Sequence, residues 1–369
     1  MKGLLTCMLI VSMPVSVWCQ SFDKLAELPS ALSESSGIEV INNNLFVTHN
    51  DGGDEPRLYF IDSSGVLQRE VFVSNAKNTD WEDVTITADG KVFVGNFGNN
   101  GHNRKDLVIY VLPDYKTWTS DTVQAEVIEF NYGDQSAYPP IANNRVFDCE
   151  ALAFYNDSLY LFSKNWSSPF TGMTKMYVLA AKPGSYTIYP TDSVNLGSIK
   201  EIAWVTGADI TDSALYLLGS AFVWKFNHKG QINLSNPVQI ALNHFSQKEA
   251  IAINANALYI TDESAGGFGN LYRYSVAATM AAQPLQTKKP YVIVQGTNSC
   301  ILENQSGQNL DLRLYDLTGR QVGGQLSSTA RHIDIQNNFT SSIISGGVYW
   351  LHIQCNGSSM SWEKVLIGK

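Results

Sequence analysis

Ser36-Gly37-Ile38-Glu39-Val40, Glu82-Asp83-Val84-Thr85-Ile86, Glu150-Ala151-Leu152-Ala153-Phe154, Thr206-Gly207-Ala208-Asp209-Ile210 and Glu249-Ala250-Ile251-Ala252-Ile253 are five versions of one phrase. An apolar pair follows the start of each: Leu45-Phe46, Val92-Phe93, Leu159-Tyr160, Leu215-Tyr216 and Leu258-Tyr259. A phrase that returns every 40–70 residues or so with constant internal spacing signals a repeat architecture. Working outward from each phrase, the chain reads as four strands per repeat, with β-branched and aromatic runs punctuated by Asn, Gly and Ser turns. In the first repeat these are Gly37–Ile41, Leu45–His49, Arg57–Asp62 and Arg69–Ser74. Later repeats follow the same order, although the outer strand of the third is poorly defined between Tyr186 and Leu196. The fifth repeat lacks an outer strand, which Leu25–Leu28 can supply, closing the ring and removing an exposed edge. The expected fold is all-β: a five-bladed β-propeller over residues 20–277, then a linker over 278–298 and a small β-sandwich over 299–369.

Composition agrees with that class. The 369 residues are 44% hydrophobic, with 17 Tyr, 16 Phe and 8 Trp, enough for a large β core. The formal net charge is −9 with no cluster of Lys and Arg, which argues against nucleic-acid binding. Lys2 followed by the apolar run Leu4 to Val17 reads as a signal peptide over residues 1–19, cleaved after Cys19. Bulky Trp18 opposes reading Cys19 as a lipidation site. No later stretch approaches the ~20 apolar residues of a membrane-spanning helix. Cleavage leaves Cys149, Cys300 and Cys355, an odd number, of which Cys300 and Cys355 could pair. Cys149 reads as a small buried residue.

The C-terminal segment carries Leu312-Arg313-Leu314-Tyr315-Asp316-Leu317-Thr318-Gly319-Arg320-Gln321-Val322, then Ser345-Gly346-Gly347-Val348-Tyr349-Trp350-Leu351 and Lys364-Val365-Leu366-Ile367. Over about 70 residues these phrases resemble the C-terminal sorting domain of type IX secretion cargo from the Bacteroidetes. The family's Pro-Asn-Pro element is replaced by Cys300-Ile301-Leu302-Glu303-Asn304. The resemblance implies a partner, the type IX secretion machinery, and a protein that is secreted or held on the outer cell surface after passing the periplasm.

In a propeller the innermost strands line a central channel, so Ser36, Glu82, Glu150, Thr206 and Glu249 should converge at its mouth. Three glutamates there would repel one another unless a cation joined them, and carboxylate and hydroxyl oxygens suit calcium rather than zinc. Alternatively these residues cap strands or bond neighbouring backbone. The order Ser, Glu, Glu, Thr, Glu resembles the ring of Ser, Glu, Glu, Ser and Glu around the channel metal of calcium-activated nucleotidases (apyrases), which are five-bladed propellers. Exported phytase-like propellers are a neighbouring comparison. The resemblance implies a calcium-dependent phosphate-ester hydrolase, with Asp51 or Glu82 orienting water. That family's basic residues in the third blade are represented here only by Lys164.

Loops on the same face supply candidates for a polar small molecule or glycan: Asn50, Asp54 and Arg57, then Asn96, Asn99 and Arg104, and Lys164. The Asn50–Glu55 stretch reads equally well as a turn. The glycines of the Gly95–Gly101 stretch precede a strand, not a helix, so the dinucleotide fingerprint fails. Trp81 and Asn165-Trp166 could form an aromatic platform or pack between blades. No Gly-x-Ser-x-Gly elbow is present. Two functions follow: a recognition module with a calcium ion in its ring, and a calcium-dependent phosphohydrolase.

Overall fold

The computed structural model describes residues 22–369 except 243, 245, 264–267, 276–290, 296–299, 306, 317–319, 340–346, 356–357 and 368–369. The expected signal peptide lies outside the described residues, as do Leu317-Thr318-Gly319 and Ser345-Gly346 of the C-terminal phrases.

Five sheets, antiparallel in their four main strands, form the propeller, each led by one of the five repeated phrases. The innermost strands are Ser35–Asn42, Trp81–Ile86, Asp148–Tyr155, Gly207–Ile210 and Gln247–Asn254. Five apolar clusters separate the blades, one per interface. Phe46 against Tyr259 lies between the last and first blades. Phe97, Ile128 and Tyr177 lie between the second and third. This follows from the pleat: each strand alternates, and both faces of every blade meet a neighbour, so both sets of alternating residues are apolar.

The ring closes through the N-terminus. Phe22–Glu27 pairs antiparallel with Asn270–Ser275 as the outer strand of the fifth blade, and Phe22 stacks on Tyr272 at 4.6 Å. The poorly defined outer strand of the third blade has a physical reason. Gly184–Ile188 leaves its own blade and adds in parallel to Glu126–Tyr132 of the second, while Pro190–Asn195 serves as the third blade's outer strand. Thr122–Val123 likewise adds in parallel to the first blade beside Leu67–Val73. Both additions cover an edge that would otherwise expose unpaired backbone.

The C-terminal unit is a two-sheet sandwich. Tyr291–Gln295, Cys300–Asn304 and His332–Asp334 form one sheet. Gln321–Ser328, Leu310–Tyr315, Gly347–Cys355 and Ser358–Ile367 form the other. Leu302, Leu312, Leu314, Leu351 and Ile353 fill the space between them. Its first strand, Tyr291–Gln295, falls inside the stretch read as linker. Asp316 N–H donates to Arg320 C=O at 3.0 Å, and the two side chains pair at 3.1 Å. Cys300 and Cys355 are not bridged: both are buried free thiols, and Cys355 Sγ lies 2.6 Å from Gln308 Oε1. Cys149 is buried and free, its thiol pushed well up by burial, as a packing residue should be. No described helix is long and apolar enough to cross a membrane.

Candidate functional site

Four of the five ring positions share a backbone device that the sequence does not announce. Pairing of the innermost strand with its neighbour skips one residue at Ser36, Glu82, Glu150 and Glu249: the register runs Ser35 to Gly37, Trp81 to Asp83, Cys149 to Ala151 and Lys248 to Ala250. Each skipped residue is a β-bulge, which re-aims its side chain away from the pleat. Thr206 stands just before its strand and is held by its N–H to Leu218 C=O at 3.1 Å. All five are buried, at 3–7% exposure. The residue before each (Ser35, Trp81, Cys149, Val205, Lys248) is buried too. Of the residues two before, Glu34, Trp204 and Gln247 line a cavity of about 440 Å³ at the channel mouth, and Asp80 and Asp148 lie against its Glu82.

That cavity is strongly acidic. Glu34, Asp51, Glu82, Glu150, Glu201, Glu249 and Glu263 line it, against Lys164 and Lys248. Lys248 is spent on the frame, donating to Ser220 C=O at 2.8 Å and His244 C=O at 2.9 Å, and burial lowers its pKa to about 7. Lys164 pairs with Glu150 at 3.0 Å. Burial alone would lower its pKa, but Glu150, Glu249, Asp148 and Glu82 together raise it, so it stays an ammonium. One wall is aromatic. Trp166 and Trp204 sit 4.5 Å apart, with Lys164 and Lys200 over their faces. Their indole N–H groups are tied back to Asp148 at 2.6 Å and to Asn165 C=O at 2.5 Å.

The acids crowd into two groups sharing Glu82. Asp51, Asp80 and Glu82 each offer an oxygen within 4.8 Å of the others, and so do Glu82, Asp148 and Glu150. Burial, then the charges of Glu150, Asp51, Asp148 and Asp80, raise Glu82 well above the carboxylate range. Burial and Asp51 raise Asp80 to about 6, with Arg104 pulling back from 4.0 Å. Burial is also the first cause at Glu249, raised to about 7, and at Glu263, raised to about 8 with Glu249 and Asp51 adding to it. Oxygen-only donors around such a repulsive cluster are the chemistry of a hard divalent cation.

The predicted residues divide. Asp51, Glu82, Glu150, Lys164, Thr206 and Glu249 line the cavity. Ser36 Oγ donates to Glu82 C=O at 2.9 Å and Thr206 Oγ1 to Lys248 C=O at 2.6 Å, so both hydroxyls stitch adjacent blades. The three asparagines are loop framework. Asn50 donates to Ala31 C=O and to Asp54, both at 2.7 Å. Asn96 Oδ1 accepts from Thr79 and Asp80 N–H. Asn99 accepts from Asn103 and Arg104 N–H and donates to Phe147 C=O. Asp54 accepts from Tyr59 as well, and Arg57 pairs with Glu55 and Glu70. Arg104 donates to Gly98 C=O at 2.7 Å and pairs with Asp106. Trp81 is wholly buried, edge-on to His49 at 5.5 Å, and packs between blades, whereas Trp166 faces the cavity. Sequence reasoning missed Asp80, Asp148 and Glu263. The signal for the first two was the spacing Asp-x-Glu, written twice in front of ring glutamates.

No protein-family model and no curated protein matches the chain. Among solved structures, it is similar to PorZ, a bacterial surface component of the type IX secretion system of Porphyromonas gingivalis, at 13% identity and a TM-score of 0.33. That match covers 91% of this chain and 45% of PorZ, so the chain spans less than half of PorZ's length. A candidate glycoside hydrolase from Parabacteroides distasonis is similar at 12% identity and a TM-score of 0.39, over 72% of this chain and 96% of that one. The Pan2 WD40 domain of Neurospora crassa is similar at 9% identity and a TM-score of 0.33, over 68% and 95%.

Proposed function

We propose that this is an exported propeller whose top cavity recognises a polar ligand with the help of a divalent cation, calcium by donor chemistry. One observation carries the cation. Glu82 is 4% exposed, and among the described residues its carboxylate meets no hydrogen bond and no ion pair. A buried carboxylate left alone among four others costs several kcal/mol unless it is protonated or holds a cation. Seven lining carboxylates against two lysines favour a neutral or cationic polar ligand, such as a glycan or an amine, over a phosphate ester. The phosphohydrolase reading lacks the cationic groups that would hold phosphates, since Lys164 and Lys248 are already engaged. Residues 299–369 serve as the sorting signal for type IX export.

The test is thermal melting of the full chain in chelator and in millimolar calcium, followed by calcium-dependent binding to a panel of neutral and amino sugars. Identical melting in both buffers removes the cation. Calcium-dependent phosphate release from nucleotides or inositol phosphates moves the protein to the hydrolase class. Deleting Leu310–Lys369 is expected to hold the propeller in the periplasm, and equal surface delivery would refute the sorting role.

A further inference from the structure

The two carboxylate groups that share Glu82 are not equally available. Asp148 already accepts from Asn99 N–H at 2.6 Å and from the Trp166 indole N–H at 2.6 Å. Glu150 lies beside Asp148 and pairs with the Lys164 ammonium at 3.0 Å. On the other side, among the described residues the Asp51 carboxylate accepts only from the N–H of its own neighbour Gly52, and Asp80 pairs with Arg104 at 4.0 Å, while the Lys164 charge reaches both without a hydrogen bond. Among the described residues Glu82 has no hydrogen-bond or ion-pair partner, and it is buried beyond nine-tenths.

We infer that the cation binds off the propeller axis, at the junction of the first and second blades, on Asp51, Asp80 and Glu82, and that Lys164 supplies the positive charge on the axis itself. This rests on the reading that the cavity takes a divalent cation.

Three features of the fold build that corner. Asn78 Nδ2 donates to the carbonyls of Asn50 and Asp51, at 3.2 and 2.8 Å, and so binds the first-blade loop to the segment that carries Asp80. Asn96 fixes the same segment from the far side through Thr79 and Asp80 N–H. Gly98 and Gly52 leave the space the carboxylates fill: a Cβ on Gly98 would collide with Glu82 Oε1 and Asp80 Oδ2, and one on Gly52 with Asp80 Oδ1 and Thr79 C=O. Mutual separations within 4.8 Å suit oxygens around a calcium-sized ion, whose bonds are about 2.3–2.6 Å, with water completing the shell. On the axis the field of Glu150, Glu249, Asp148 and Glu82 already falls on Lys164. A dication placed there would meet an ammonium at close range in a partly dry site, where like charges repel strongly.

The experiment is equilibrium dialysis of the full chain against calcium chloride. The wild type should bind one equivalent. Asp51→Asn and Asp80→Asn should each weaken binding by more than about tenfold, whereas Glu249→Gln and Ser36→Ala should stay within about threefold. Lys164→Met should open the axis and bind a second equivalent. Retained wild-type affinity in both aspartate variants, with binding lost in Glu249→Gln, would place the ion on the axis and overturn the inference. No binding by the wild type would overturn the cation reading itself. If Lys164→Met does not fold, the contrast between the aspartate variants and Glu249→Gln still decides.

Discussion

The channel holds two tiers of buried and half-buried acids, and they are used in opposite ways. In the lower tier, Glu39, Asp83 and Asp209 each reach across to the next blade. Asp83 accepts from Leu152 N–H at 2.8 Å, Asp209 from Ile253 N–H at 2.7 Å, and Glu39 from Ile86 N–H at 3.3 Å and Thr85 Oγ1 at 3.1 Å. Each also accepts from the N–H of its own following residue. In the upper tier, Glu82 accepts nothing among the described residues and Glu150 depends on Lys164 and Asp148. The lower acids substitute for missing backbone pairing between blades and are structural. The upper acids repel one another around open space, which a fold tolerates only where something else arrives.

The largest effect expected from breaking the lower tier comes from Asp83→Ala. It orphans the buried N–H groups of Val84 and Leu152 and should cost about 2–5 kcal/mol in denaturant unfolding, equally in chelator and in calcium. A loss that calcium repairs would mean the two tiers are one site.

Glu82→Leu tests the upper tier, and the sign reverses. In chelator the variant should be more stable than the wild type, because a buried charge without a partner is replaced by an apolar side chain. In calcium at about a hundred times its dissociation constant, the wild type should gain roughly 2.7 kcal/mol and the variant almost nothing. Destabilisation of the variant in chelator would make Glu82 another structural acid.

Much of this was legible in the sequence, but unevenly. The repeated phrase carried the blade number and the innermost strands, because burial on both faces imposes the same small and apolar residues five times. N-terminal closure was readable from the missing outer strand of the fifth blade. The parallel strand Gly184–Ile188 was not, since its pairing with the second blade is a long-range choice that local pattern does not encode. The ring residues were found by equivalence, yet the bulges that aim them were invisible. Asn50, Asn96 and Asn99 looked like ligand groups because loop asparagines serve both roles; only hydrogen-bond partners separate frame from site.

Acidity alone does not separate the tiers; the response to calcium does. The upper acids Asp80, Glu249 and Glu263 are raised by burial to about 6, 7 and 8, and the lower acid Asp209 to about 7. A carboxyl whose pKa is raised in the fold stabilises fully below its unfolded pKa, near 4, and loses that contribution as pH rises through the folded value. Stability in chelator should therefore decline between about pH 4.5 and 8, by on the order of 2 kcal/mol. His49, lowered by burial to about 4, acts in the other direction: its contribution is present above pH 6.5 and lost as pH falls to 4. Saturating calcium should flatten the part of the decline due to Asp80 and leave the parts due to Glu249, Glu263 and Asp209. A decline of equal slope with and without calcium would show that the ion does not meet Asp80.

The smallest effect, and the finest test of where the ion sits, comes from the ring hydroxyls. Ser36 Oγ gives its hydrogen to Glu82 C=O, and Thr206 Oγ1 gives its own to Lys248 C=O, in each case across a blade boundary. Donation leaves the oxygen lone pairs free, so the same hydroxyls could also ligate an ion on the axis. The two roles differ in their response to calcium. As blade-to-blade bonds alone, Ser36→Ala and Thr206→Val should each cost about 0.5–1.5 kcal/mol, the net worth of one hydrogen bond, and the cost should be the same in chelator and in calcium. As ligands, they would cost more in calcium than in chelator, by the binding free energy lost. With Lys164 on the axis the equal cost is expected. A calcium-dependent excess in either variant would bring the ion back to the centre of the ring and merge the hydroxyls with the site that Glu82 serves.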